Sequence, residues 1–223
     1  MLKCAILGCR GRARAHAKAY EDITRGKLVA ICDMNEELLN DFGGMFDVGQ
    51  RYTDIDEMLE KEKPDLLHIV TAPVLRGTMQ PIRYPLLNTA SEHKVPSVII
   101  EKPIAVMGED WRQIRDLSER TETKIAVNTQ LHFHPKNVEL KKDVAEGKIG
   151  EIKLIEASSR NPPVDQAPHT LQLVSSYIDN SQPVKVMGQI AGSGHLNSDQ
   201  PSPDNAIGRI EYANGVQVSV AFG

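Results

Sequence analysis

The chain has 223 residues, enough for one large domain or two modest ones with real cores. Its 30 acidic and 26 basic side chains leave a formal charge of −4, which argues against nucleic acid or an anionic membrane surface as partner. No apolar run approaches a membrane span, and the N-terminus lacks a signal-peptide layout. Cys4, Cys9 and Cys32 are odd in number without C-x-x-C spacing, which points to free thiols in a reducing cytoplasm and away from a disulfide frame or zinc.

Lys3 to Leu7 is a short apolar run that reaches Gly8, and the next residues, C-R-G-R-A-R-A-H, give way to an alanine-rich helical pattern. Ala13, Ala17 and Tyr20 recur at i, i+4 and i+7, so a small-residue face can press on a sheet. This reads as strand, tight turn and helix, and the N–H groups and positive dipole end of such a helix attract an anion such as a pyrophosphate. Gly8, Arg10, Gly11, Arg12 and Ala13 are the candidate cofactor-binding residues of the turn. Against G-x-G-x-x-G/A the three key positions are Gly8, Arg10 and Ala13, so an arginine stands where the middle glycine allows close phosphate approach.

A second buried run, Lys27 to Cys32, ends at Asp33, at the place where such a fingerprint wants a carboxylate for the ribose hydroxyls. No arginine or lysine follows directly to receive a 2′-phosphate, so NAD is expected in preference to NADP. Asp33 can equally cap the helix that follows. Tyr52-Thr53-Asp54 leads into a helix from Ile55 to Glu62, then a strand from Leu66 to Val70 closes with Thr71-Ala72-Pro73. Arg76 to Ser91 is helical for part of its length, with boundaries blurred by Pro81 and Pro85. The run Val98-Ile99-Ile100 is then a buried strand ending in Glu101-Lys102-Pro103. Strands alternating with helices predict a parallel, doubly wound sheet, whose ligands bind beyond the strands' carboxyl ends. There the Lys102 ammonium can hold a substrate hydroxyl for hydride removal, where an ordinary surface lysine would do nothing.

Trp111, Ile114 and Leu117 share a helical stripe that reads as core, and Lys124 to Val127 is a strand leaving the first domain. The predicted domains are therefore 1–123 and 124–223. Gln130 and His132 belong to a polar stretch, Asn128 to Pro135, that can line a pocket; no metal is expected there. A helix from Val138 to Glu146 and a strand from Ile152 to Ser158 follow. Asp165 and His169 lie four apart near a helix start, so their side chains share a face. A carboxylate beside an imidazole suits a general base, while a helix cap and a surface histidine fit the spacing equally well.

These pieces together resemble the Gfo/Idh/MocA oxidoreductases, the family of glucose-fructose oxidoreductase and inositol 2-dehydrogenase. The resemblance is carried by the glycine turn with His16 after it, Asp33, Tyr52-Thr53-Asp54, Thr71-Ala72-Pro73, Glu101-Lys102-Pro103, Gly147-x-x-Gly150-Glu151 and Asp165-x-x-x-His169. It implies an N-terminal Rossmann domain for NAD(P) followed by an α+β domain on a mostly antiparallel sheet. It also implies a cofactor site that includes Thr71, Ala72, Pro73, Glu101 and Lys102. The catalytic set it implies is Lys102, Asp165 and His169, with Gln130 and His132 beside them toward substrate. His169 would take the hydroxyl proton while Lys102 orients that oxygen. The expected function is NAD-dependent hydride transfer from a secondary alcohol of a sugar, cyclitol or related polyol. A non-catalytic, NAD-binding regulator on the same fold is the alternative. The expected partners are that small substrate and further copies of the chain through the second-domain sheet, without nucleic acid or membrane.

The departures from the family pattern are Arg10, Ala167 and Gln172 in the later motif, and Arg76 where many relatives carry a histidine. At the end, Tyr212 to Gly215 reads as a hairpin turn, and Val216, Val218, Val220 and Phe222 alternate as a half-buried strand. Relatives continue beyond this point, so the chain reads as a truncated form whose last strand presents an unpaired edge and an exposed apolar face.

Overall fold

The computed structural model describes residues 1–75, 78, 80–192 and 202–223. Arg76, read above as a departure from the family pattern, lies outside them. The chain forms two compact units, Met1–Asn128 and Thr129–Gly223.

The first unit alternates strand and helix in the order β1 (Leu2–Leu7), α1 (Gly11–Lys18), β2 (Gly26–Cys32), α2 (Glu36–Met45), β3 (Gln50–Tyr52), α3 (Ile55–Glu62), β4 (Leu66–Ile69), α4 (Arg83–Glu92), β5 (Ser97–Glu101), α5 (Gly108–Arg120) and β6 (Lys124–Asn128). All neighbouring strands are parallel, in the order β3-β2-β1-β4-β5-β6. This is the doubly wound sheet that the strand–helix alternation predicts. The last strand, read as leaving the domain, is instead its sixth member: Ser97 pairs with Lys124 and Glu101 with Asn128. The division between units therefore falls after Asn128, where the sequence placed it after residue 123.

Alternation along the strands loads both faces of the sheet. Ile6, Ile31 and Val70 meet Ala13 and Ala17 of α1 and Leu39 and Phe42 of α2. Leu7, Leu67, Ile69, Val98 and Ile100 meet Met58 and Leu59 of α3, Leu87 of α4, and Ile114 and Leu117 of α5. Each buried Leu, Ile, Val, Phe or Met of these layers contributes about 1.5–3 kcal/mol of transfer free energy. Helix α3 starts at the expected residue because the Asp54 carboxylate accepts the Glu57 N–H at 2.8 Å. Helix α4 begins only at Arg83, after Pro81, and Pro85 sits in its first turn, where a missing N–H leaves no helical bond unmade. Trp111 corrects the core stripe: it is 47 % exposed and lies against the Arg115 guanidinium, 5.2 Å from its ring centroid. Its partners Ile114 and Leu117 alone face the sheet.

The second unit runs α6 (Pro135–Ala145), β7 (Leu154–Ser159), α7 (Pro163–Tyr177), β8 (Pro183–Ala191), β9 (Asn205–Tyr212) and β10 (Gln217–Phe222). Its sheet order is β7-β10-β9-β8, antiparallel except for β7 with β10. The mostly antiparallel expectation holds, but the last strand is no edge. β10 is paired on both sides because β7 aligns parallel with it, Gln217 opposite Leu154 through Phe222 opposite Ser159. Val174 and Ile178 at the end of α7 pack on Ile210, Tyr212, Val216 and Val218 and cover one sheet face. The exposed apolar surface expected at the last strand lies on the edge strand β8, at Val184, Val186, Met187 and Ile190, with Ile207 of β9.

Candidate functional site

The glycine turn is built by a close backbone approach. Gly8 takes φ +96°, and a Cβ there would stand 3.1 Å from the Val70 carbonyl carbon and 3.2 Å from the Thr71 nitrogen at the end of β4. Arg10 takes φ −84° and ψ −177°, extended backbone open to any side chain, so its substitution for glycine carries no strain. No side chain caps α1 and no acid stands in its first turn, so the helix N-terminus is open to an anion. Arg10, Gly11 and Arg12 are exposed around it, while Ala13 is buried against the sheet and lets the helix approach.

Asp33 ties this turn to the end of β2. Its Oδ2 accepts the Cys9 N–H at 2.8 Å and its Oδ1 the Asn35 N–H at 2.9 Å. The cap of α2 is Asn35, whose side chain accepts the Leu38 N–H at 2.9 Å, so the capping role does not fall to Asp33. An ionised carboxylate has about four acceptor positions, which leaves room for two ribose hydroxyls. At the end of β4 the Thr71 hydroxyl is buried with no hydrogen-bond partner among the described residues, followed by exposed Ala72 and buried Pro73. An open helix N-terminus, a turn with no room for a Cβ, a poised carboxylate and an orphaned hydroxyl fit a dinucleotide such as NAD.

The end of β5 holds a buried polar network that the sequence did not disclose. Glu101 Oε1 lies 2.8 Å from His16 Nε2 and accepts the Asn128 side-chain N–H at 2.7 Å. His16 Nδ1 lies 3.0 Å from His68 Nδ1, and His68 Nε2 lies 2.7 Å from the Tyr20 hydroxyl. Burial raises the Glu101 carboxyl, but the His16 and Asn128 hydrogen bonds and the His16 and Arg12 charges outweigh it and hold its pKa below the ordinary value. Burial, and then the neighbouring His16, pushes His68 down to about 4. The available signal was a histidine interrupting the apolar run Leu66-Leu67-His68-Ile69-Val70. Lys102 is half-buried directly after this strand, and its bond to Pro103 is cis. Arg83, at the start of α4, is fully buried and donates to the Ile69 carbonyl at 3.2 Å; burial lowers its pKa to about 10 against the raising charges of Glu101 and Asp110.

In the second unit Asp165 is the third residue of α7 and His169 lies one turn further, buried. Asp165 is therefore inside the helix rather than its cap, and Pro162 occupies the capping position. One more turn along the same face is Gln172, whose Oε1 is buried without a partner among the described residues. The 3-10 turn Gln130–Phe133 packs against α7. It carries exposed Gln130 and half-buried His132, whose Nδ1 is also buried without a partner among the described residues. Unpaired buried acceptors and donors of this kind suit a polyhydroxylated ligand. Among the described residues no cluster of three or more His, Cys, Asp or Glu side chains is arranged to hold a metal ion.

Residues 2–129 match the family model described as the oxidoreductase family with NAD-binding Rossmann fold. Over 149 residues, 66% of the chain, the sequence is 30% identical to a D-apiose dehydrogenase of Paraburkholderia graminis, covering 37% of that protein. Over 167 residues, 74% of the chain, it is 25% identical to an inositol 2-dehydrogenase of Rhizobium meliloti, covering 48% of it. The chain thus spans less than half the length of these curated relatives. A solved oxidoreductase from Agrobacterium radiobacter, in complex with NAD+, L-tartaric acid and magnesium, superposes with a TM-score of 0.83 at 22% identity, over 99% of this chain and 66% of that one. Scyllo-inositol dehydrogenase from Lactobacillus casei, with NAD(H) and scyllo-inositol, gives a TM-score of 0.79 at 18% identity, over 99% of this chain and 69% of that one. At such identities these structures share the fold. With the family match covering more than half of its length, the chain belongs to the Gfo/Idh/MocA family of NAD-binding oxidoreductases.

Proposed function

We propose that the chain is an NAD-dependent dehydrogenase acting on a secondary alcohol of a sugar, cyclitol or related polyol. The observation that carries this reading is Asp33, held at the end of β2 by the Cys9 and Asn35 N–H groups beside an uncapped α1. A carboxylate there binds ribose hydroxyls and repels a 2′-phosphate, which favours NAD over NADP. The names of the relatives, dehydrogenases of apiose, glucose 6-phosphate and inositol, support a polyhydroxylated substrate.

NAD, when bound, supplies the hydride acceptor. The Arg10, Gly11, Arg12 and Ala13 segment receives the pyrophosphate, and Thr71, Ala72, Pro73 and Glu101 border the remainder. Lys102 donates a hydrogen bond to the substrate hydroxyl oxygen and fixes the carbon that loses hydride. His169 removes the hydroxyl proton, with Asp165 one helical turn away to orient and charge-stabilise the imidazole. Gln130 and His132 bind further hydroxyls. The protein works in the cytoplasm, a placement supported by three buried free thiols; burial and the Asp33 charge raise Cys9 and Cys32 to about 12, which keeps them unreactive. A second copy of the chain associates through the sheet of the second unit, whose edge strand β8 is exposed along its whole length.

The test is Lys102→Met. Turnover of myo-inositol or D-apiose with NAD+ is expected to fall about 10²–10⁴-fold, the range for losing a polar catalytic group, with NAD+ affinity held. Turnover retained near the unsubstituted rate contradicts the assignment.

A further inference from the structure

The Tyr20–His68–His16 chain is an unusual use of buried polar groups. It crosses one face of the first-unit sheet beneath α1, among Ile6, Ala13 and Ala17, where the rest of the layer is apolar. It joins the turn after α1 (Tyr20), the helix itself (His16), the middle of β4 (His68) and the end of β5 (Glu101) by contacts of 2.7, 3.0 and 2.8 Å. An ionised carboxylate only accepts, so His16 Nε2 donates to Glu101. The facing Nδ1 atoms of the two rings then share one proton, and His68 Nε2 is satisfied by the Tyr20 hydroxyl. Every ring nitrogen of both histidines is thereby paired. An apolar isostere at these positions would be cheaper to bury, so the chain needs a reason in what it terminates on. It terminates on the carboxylate immediately before Lys102.

We propose that His16, His68 and Tyr20 are positioning residues: a hydrogen-bonded strut that holds Glu101 ionised and in one orientation beside Lys102. The inference rests on the dehydrogenase reading for its catalytic meaning, but not for its structural content. Left in this buried position without His16, the carboxyl would rise on protonation equilibrium, because burial is the largest influence on it and acts upward. The other groups bearing on Glu101 are Asn128, which donates to it, and the positive charges of Arg12 and Arg83. His68 feels His16 and Tyr20, and Tyr20 in turn meets Cys4. These partners restrain Glu101 further but leave His16 as its closest ring donor.

The experiment follows the Glu101 carboxyl by NMR in the full chain labelled with 13C at glutamate, assigned through Glu101→Gln, in the unsubstituted protein, His16→Leu and His16→Gln. The strut predicts a midpoint below that of ordinary glutamates, raised by about one pH unit or more in His16→Leu and restored in His16→Gln, whose amide can still donate. With myo-inositol and NAD+, kcat of His16→Leu should fall with acidification through the raised midpoint, about tenfold one pH unit below it, and recover above it, with KM for NAD+ little changed. An unmoved midpoint in His16→Leu, or one equally displaced in His16→Gln, overturns the proposal, and lowered thermal stability alone would then mark an ordinary structural role. If the unsubstituted protein turns over neither myo-inositol, D-apiose nor glucose 6-phosphate with NAD+ while the midpoint moves as stated, the strut stands and the dehydrogenase reading fails.

Discussion

At the scale of single residues, His68 links the buried network to stability. Burial, with a smaller contribution from His16, lowers its pKa from 6.5 to about 4 in the folded chain. Between those values the unfolded chain binds a proton that the folded chain does not, so stability rises with pH across this window. It is complete above pH 6.5 and declines by up to roughly 3 kcal/mol as pH falls to 4. Urea unfolding at pH 7 and pH 4.5 should show the decline, and His68→Phe should flatten it; an unchanged slope in that variant contradicts the reading. Glu101, lowered from its ordinary value, acts the same way in a more acidic window. Positions set by a backbone turn or by local spacing were legible: Gly8 lies in the tight turn, Asp33 after β2, and Ala13 and Ala17 against the sheet. His68, Tyr20 and Asn128 were not, because what unites them with His16 and Glu101 is adjacency of β1, β4, β5 and β6 across parallel crossovers, which no local pattern encodes.

At the scale of elements, the strand–turn–helix unit at the N-terminus depends on one glycine and is indifferent to another. Gly8→Ala puts a side chain at φ +96° and within 3.1 Å of the β4 backbone, a conformational penalty of about 1–3 kcal/mol before any displacement of Val70. Gly11 meets nothing within 4 Å at the first helical position, so Gly11→Ala should leave unfolding unchanged or slightly later. Denaturant midpoints of the two variants check this, and equal losses in both would refute it. The same contrast explains Arg10, whose extended backbone never required glycine. Periodicity located α3 and α5 well, yet it misassigned Trp111, since a helical stripe marks one face without saying how far that face is covered. Proline-rich stretches were the least legible: Pro81 delayed α4, while Pro135 started α6 early, with the His134 ring accepting the Lys136 N–H at 3.3 Å.

At the scale of the whole molecule, the fold class follows from strand–helix alternation, and the observed strand order 3-2-1-4-5-6 is that of a doubly wound dinucleotide-binding sheet. The second sheet was harder to read because β10 pairs in parallel with β7, a strand that lies earlier in the chain with α7, β8 and β9 between them. That pairing puts β10 inside the sheet and moves the open edge to β8. The face opposite α7 presents exposed Met187 and Ile207 among Lys185, Arg209 and Glu211, apolar groups ringed by both signs of charge. Self-association through this face predicts a dimer by sedimentation at micromolar concentration, reduced to monomer by Ile207→Asp. A monomeric unsubstituted chain contradicts that part of the account.

The central claim is that the first unit binds NAD through the glycine turn and Asp33. Calorimetric titration of the 223-residue chain with NAD+ and with NADP+, repeated on Asp33→Ala, tests it most directly. The account predicts saturable binding that prefers NAD+, with NAD+ affinity falling about tenfold and the preference relaxing in the variant, as expected for lost hydrogen bonds to a charged group. Tighter binding of NADP+, or an Asp33→Ala chain that binds NAD+ as well as before, would contradict it.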